Sequence, residues 1–228
     1  MRLLACVVAV PVALVGWQWL DDRSTERALA PIASAVAGRN VEVDCQSVWA
    51  TLLDALPRHG SVRFDVNGVP EPRIFLTHAT CDRLQDFEGL RRHGAVSCLT
   101  EIHWTGVMPL APGSPCYRSA SPTIYALMTL AHEAYHTAGV TNEAAANCYA
   151  IQAMAYVATS LGAEQAEAEL LADAMRALAP LQAGEYGTQR CRAGDTLDLH
   201  PETPDFPTEH PIAPPRGLGG SRRVGAGA

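Results

Sequence analysis

Apolar residues recur through the middle of this chain with the period of a helix. Ile124, Leu127, Ala131, Ala134 and Ala138 fall at three- and four-residue steps, which is the spacing of one buried stripe. Ser121-Pro122 offers a cap with a first-turn proline, and Gly139 offers a stop, so the pattern predicts a helix between them. Thr141 can cap a second helix, with Ala146, Asn147, Ala150 and Met154 on adjoining faces, running to Leu161-Gly162. A third is expected from Glu164 to Leu178, with Leu170, Leu171, Ala174 and Leu178 on one face.

Upstream the period changes to two. Ser61 to Val66 alternates, Asn67-Gly68 is a strong turn signal, and Arg73 to Leu76 alternates again, which together predict a hairpin. Pro70 and Pro72 should keep at least one of its strands short or at an edge. Ser47 can cap a short helix through Leu56, ended by Pro57 and Gly60, and Thr80 another from Cys81 to about Leu90. Cys98 to Met108 reads as a further strand. Residues 21–40 mix charge, alanine and proline and are expected to form a stalk or a loosely packed helix. From residue 201 onward proline and glycine dominate without periodicity, so a disordered tail is expected.

Leu3 to Leu20 is a different kind of segment, an apolar run preceded by Arg2 and followed by Asp21-Asp22. As a helix it would span about 27 Å, close to the thickness of a bilayer core. Trp17 and Trp19 lie at its far end, and Arg2 marks the near end as cytoplasmic. Residues 1–20 are therefore read as a signal anchor, or a signal peptide if cleaved. The remainder is expected to be a membrane-anchored extracytoplasmic domain over residues 41–200, or a secreted one.

Composition adds two constraints. The chain has 228 residues, 48% of them hydrophobic, enough for one domain with a proper core. Its net charge of −7 gives no basic footprint, which argues against nucleic-acid binding. Cys6 lies in the membrane run; Cys45, Cys81, Cys98, Cys116, Cys148 and Cys191 lie beyond it, an even number in a compartment that permits oxidation. Cys98 and Cys116 are expected to close the loop between them, and Cys148 to pin its helix to another element.

The chemistry sits on the first two central helices. His132-Glu133-Ala134-Tyr135-His136 places two imidazoles four residues apart on one helical face. They can take two corners of a zinc tetrahedron, leaving one for a third protein ligand and one for solvent. Glu133, about 100° around the same turn, need not ligate and can act as a general base. The short turn to Thr141 brings the next helix back beside His136, which makes Glu143 the third ligand. Asn142 and Asn147 are candidates to hydrogen-bond these ligands, and His103 is the rival ligand to test.

His132-Glu133-x-x-His136 with a downstream glutamate resembles the gluzincin branch of the zincin metallopeptidases. Glu143-x-x-Ala146-Asn147-x-Tyr149-Ala150 is similar to the glutamate-bearing helix of its compact members. Gly139 is similar to the metzincin turn, where the third ligand would fall at Asn142; asparagine is a poor zinc ligand, so Glu143 is preferred. The resemblance covers residues 121–160. It implies a bound Zn2+ held by His132, His136 and Glu143, Glu133 as base and proton shuttle, and hydrolysis of a peptide or protein substrate. An edge strand above the active helix would pair with that substrate, and Tyr149, Tyr156 or Tyr186 could stabilise an oxyanion.

The expected architecture is α+β: a helix-rich, compact zincin-like domain with a small antiparallel sheet and disulfide staples after a transmembrane helix. The alternative is a non-catalytic cell-envelope binding or scaffold protein, stabilised by zinc and disulfides.

Overall fold

The computed structural model describes residues 22–47, 59–87, 98–99, 113–179 and 190–201. Within these, residues 22–37 are helical (α1). Three strands and a helix follow: β1 (Glu42–Cys45), β2 (Gly60–Phe64), β3 (Pro70–Leu76) and α2 (His78–Gln85). Three longer helices complete the fold: α3 (Pro115–Thr137), α4 (Glu143–Ser160) and α5 (Gln165–Leu178).

The helix-rich α+β expectation holds, but the sheet is mixed rather than antiparallel. Its order is β1-β3-β2; β2 and β3 form the expected antiparallel hairpin, while β1 joins β3 in parallel, pairing Glu42 with Arg73 through Cys45 with Leu76. The two prolines lie in the central strand, not an edge. They are tolerated because β1 pairs only from Arg73 onward, so Pro70 and Pro72 precede that ladder.

Helix α3 is the centre of the molecule. It packs against β2, β3, α2, α4 and α5. Ile124, Leu127 and Leu130 are fully buried, each contributing about 1.5–3 kcal/mol by leaving water. The helix begins earlier than Ser121-Pro122 predicts. Ser114 is its N-cap, accepting from the Tyr117 N–H, and Pro115 takes the first position, so Pro122 lies inside. The first turn is tied down by the Cys98–Cys116 disulfide.

The segment expected as a stalk or a loosely packed helix is helical and belongs to the folded unit. Leu29, Ile32, Ala33, Val36 and Ala37 of α1 are buried in the same core, and Thr25 Oγ1 donates to Gln85 Oε1 at 2.8 Å. Helix α2 starts one turn before the expected Cys81, capped by Thr77 rather than Thr80. Helix α5 matches its expected span, opened by a capping box between Glu164 and Glu167.

Two further disulfides join Cys45 to Cys81 and Cys148 to Cys191. The latter pins α4 to the segment 190–201, as expected of Cys148. Gln152 reinforces it: its amide donates to the Leu197 carbonyl at 2.8 Å and accepts from the Leu199 N–H at 2.8 Å. Among the described residues no helix is long and apolar enough to cross a membrane. The apolar run 3–20, the helix expected up to Leu56, most of the strand expected over 98–108, and the tail from 202 lie outside the described residues.

Candidate metal centre

His132, Glu133 and His136 project from the last turns of α3 and are all buried. How that helix ends decides where the third group arrives. Gly139 adopts φ +94°, the left-handed conformation that glycine reaches most easily. The Gly139 N–H donates to the His136 carbonyl at 2.9 Å and the Val140 N–H to the Tyr135 carbonyl at 3.1 Å, which is the Schellman pattern. This fold-back sets the Val140 carbonyl against His136 Nδ1 at 2.6 Å. The C-terminal carbonyl of Thr137 is met by the Arg39 guanidinium at 3.0 Å.

Helix α4 then begins at once. Its N-cap is Asn142, whose side chain accepts from the Ala145 N–H at 2.9 Å; Thr141, the expected cap, precedes it. Asn142 is thereby occupied in starting the helix rather than in touching the histidines. Glu143 becomes the first residue of α4, where the helix dipole favours its carboxylate. It reaches the histidines: Oε2 lies 3.0 Å from His132 Nε2 and 3.3 Å from His136 Nε2, and the two imidazole nitrogens are 2.9 Å apart.

These three atoms fit a divalent cation. Nitrogen and oxygen ligands about 2.0–2.1 Å from a tetrahedral zinc lie about 3.3 Å from one another, close to the separations observed. Protonation supports the same conclusion. Val140 O can only accept, so His136 carries its proton on Nδ1 and turns the Nε2 lone pair toward a carboxylate oxygen. Two acceptors facing each other at 3.3 Å require a cation or a proton between them. His132, whose pKa is pulled down to about 3 by burial and then by His136 against a hydrogen bond to Asn147, is neutral and available as a ligand. Asn147 is buried on α4 and is the hydrogen-bond partner of His132.

Glu133 is next to this cluster but not in it. Burial, with a further push from the charge of Glu143, raises its carboxyl to about 8. Sequence reasoning missed what faces it. Gly60, expected only to help end a helix, opens β2 directly over α3: a Cβ there would lie 3.0 Å from Glu133 Cγ and 2.9 Å from Thr129 Cγ2. At the other end of β2, the Phe64 ring lies edge-on to His136, with centroids 6.5 Å apart. Nothing in the sequence distinguishes Gly60 from an ordinary strand-initiating glycine.

The other candidates lie elsewhere. Tyr149 packs its ring 5.4 Å from Tyr135, and Tyr149 and Tyr156 both pack against the core. His59 stacks on Tyr125, with centroids 6.3 Å apart. His103 and Tyr186 are outside the described residues. Comparison with protein families, with curated proteins and with solved structures finds no match to this chain.

Proposed function

We propose that the chain is a zinc-dependent metallopeptidase acting on peptide or protein substrates outside the cytoplasm. The observation that carries the reading is the convergence of His132, His136 and Glu143 within 4.8 Å, with Glu133 buried beside them and taking no part in the cluster. His132 Nε2, His136 Nε2 and Glu143 Oε2 would hold the ion. A zinc ion there would polarise a peptide carbonyl and acidify an attacking water.

Glu133 supplies the proton handling. Burial holds the metal-free carboxyl at about 8, and the positive charge of a bound ion would lower it toward the range in which it can accept a proton near neutrality. It accepts the proton of the attacking water and returns it to the departing amine. Gly60 lies over its methylene carbons, where a Cβ would come within 3.0 Å of Glu133 Cγ, which limits how far the carboxylate can swing. Val140 and Asn147 orient the two imidazoles, and losing such an outer partner commonly costs about 10–100-fold in metal affinity.

Strand β2 runs from above Glu133 toward His136 and is an edge of the sheet among the described residues. Its backbone groups could hold an extended peptide by strand addition. Three disulfides suit an oxidising, extracytoplasmic setting. The direct test is Glu133→Gln: bound zinc should stay at the wild-type level while peptide hydrolysis disappears. Hydrolysis surviving in that variant would contradict the assigned base.

A further inference from the structure

We infer that Phe64, with Val66 and Val69 of the same hairpin, forms an apolar rim that selects a large apolar side chain beside the cleaved bond. The inference rests on the peptidase reading and adds the substrate class to it.

Among the described residues, the exposed large hydrophobic side chains are Phe64 at 42%, Val66 at 101% and Val69 at 54%. All three belong to the β2–β3 hairpin. Isolated exposed apolar residues are ordinary, but here three fall on one hairpin. The position of this cluster is what gives it a role. The ladder is irregular between Val62 and Phe64, so it is their contacts that place residues 60, 62 and 64 on the α3 side of β2. Gly60 lies over Glu133, Val62 packs on the core, and Phe64 meets the edge of His136. The face that starts at the base thus ends in an aromatic ring open to solvent beside a metal-ligating imidazole.

The two polar neighbours of Phe64 along the chain, Arg63 and Asp65, are engaged elsewhere. Arg63 lies on the opposite face, with its guanidinium 4.4 Å from the centre of the Phe75 ring. Asp65 accepts from the Asn67 and Val69 N–H groups at 2.8 Å each and shapes the turn. A charged substrate side chain beside Phe64 would therefore lose water against an apolar ring and two valines without a partner from these residues. A leucine or phenylalanine there would bury its own surface together with theirs.

The test uses the zinc-loaded full-length chain and peptides that differ at one position next to the cut, carrying Leu, Phe, Ser or Asp. The expected kcat/KM for the Leu and Phe peptides exceeds that for Ser and Asp by about tenfold or more. Phe64→Ser should collapse this preference to within about threefold, and Phe64→Leu should keep it, with bound zinc equal in all three proteins. Hydrolysis with the same preference in wild type and Phe64→Ser overturns the rim and leaves the peptidase reading standing. Zinc bound without any hydrolysis by wild type overturns the peptidase reading, and the rim is then decided by fluorescence anisotropy of the same peptides on zinc-loaded Glu133→Gln. There, Leu-peptide binding about tenfold weaker when Phe64→Ser is added supports the rim, and unchanged binding overturns it. Binding to phosphatidylcholine vesicles that depends on Val66 and Val69, without peptide selectivity, overturns it in favour of a membrane contact.

Discussion

Gly60 and Glu133 stand so close that no methyl group fits between strand and helix: a Cβ on Gly60 would fall 3.0 Å from Glu133 Cγ and 2.9 Å from Thr129 Cγ2. Gly60→Ala should therefore push β2 off α3, at a cost of about 1–3 kcal/mol from overpacking. Removing the Thr129 methyl in Gly60→Ala/Thr129→Ser should recover part of that loss. Urea denaturation of the four proteins of this cycle measures the coupling. Strictly additive losses would mean the two positions do not press on each other.

Gly139 has a conformational role rather than a steric one. Its φ is +94°, and a Cβ there would meet nothing within 4 Å. Gly139→Ala should cost about 1 kcal/mol through strain alone. Because the fold-back also places the Val140 carbonyl on His136, zinc affinity should fall by about tenfold. Competition with a chromophoric chelator checks this; unchanged affinity would separate the turn from the metal centre.

Acidity should act on the metal-free protein in two opposed ways. His132 titrates near 6.5 when unfolded and near 3 when folded, so the unfolded chain binds more protons between those values and stability is lost as pH falls through them. Glu133 goes the other way, from 4.5 to about 8; its contribution is present below 4.5 and is lost as pH rises toward 8. The two slopes cancel between about 4.5 and 6.5, giving a plateau with decline on either side. Denaturation in the presence of a chelator should show it, and Glu133→Gln should flatten the alkaline decline. An alkaline decline unaltered by that change would remove Glu133 as its cause.

Tyr135 is completely buried, and its hydroxyl has no hydrogen-bond partner among the described residues. Burial, and then Tyr149, pushes its phenol well above the usual range. Tyr135→Phe removes an unsatisfied group without opening a cavity. Stability should stay level or rise by about 1–2 kcal/mol, read as an increase in Tm. A loss of more than about 1 kcal/mol would mean the hydroxyl is bonded.

The parts of this structure that were legible in the sequence are those governed by local periodicity. His132 and His136 four apart, Glu143 just past a glycine stop, the Asn67-Gly68 hairpin and the apolar stripe of α5 all depend on neighbours within a few residues. The Cys98–Cys116 pairing was likewise a short closure. Strand β1 was not legible, because four residues pair in parallel with a strand about thirty positions away, and such a register leaves no local mark. The close packing of helix α1 was hidden for another reason. Leu29, Ile32, Ala33, Val36 and Ala37 carry helical spacing, but Pro31 and the charged flank obscured it. Gly60 was beyond any local rule, since only the approach of α3 gives its missing side chain a meaning.

The account as a whole depends on one ion. Elemental analysis of the full-length chain, purified without a histidine tag beside Glu143→Ala, tests it most directly. One zinc per chain in the wild type and a loss of about tenfold or more in affinity in the variant is the predicted result. A wild-type protein that purifies without metal and takes up zinc no better than Glu143→Ala would contradict it.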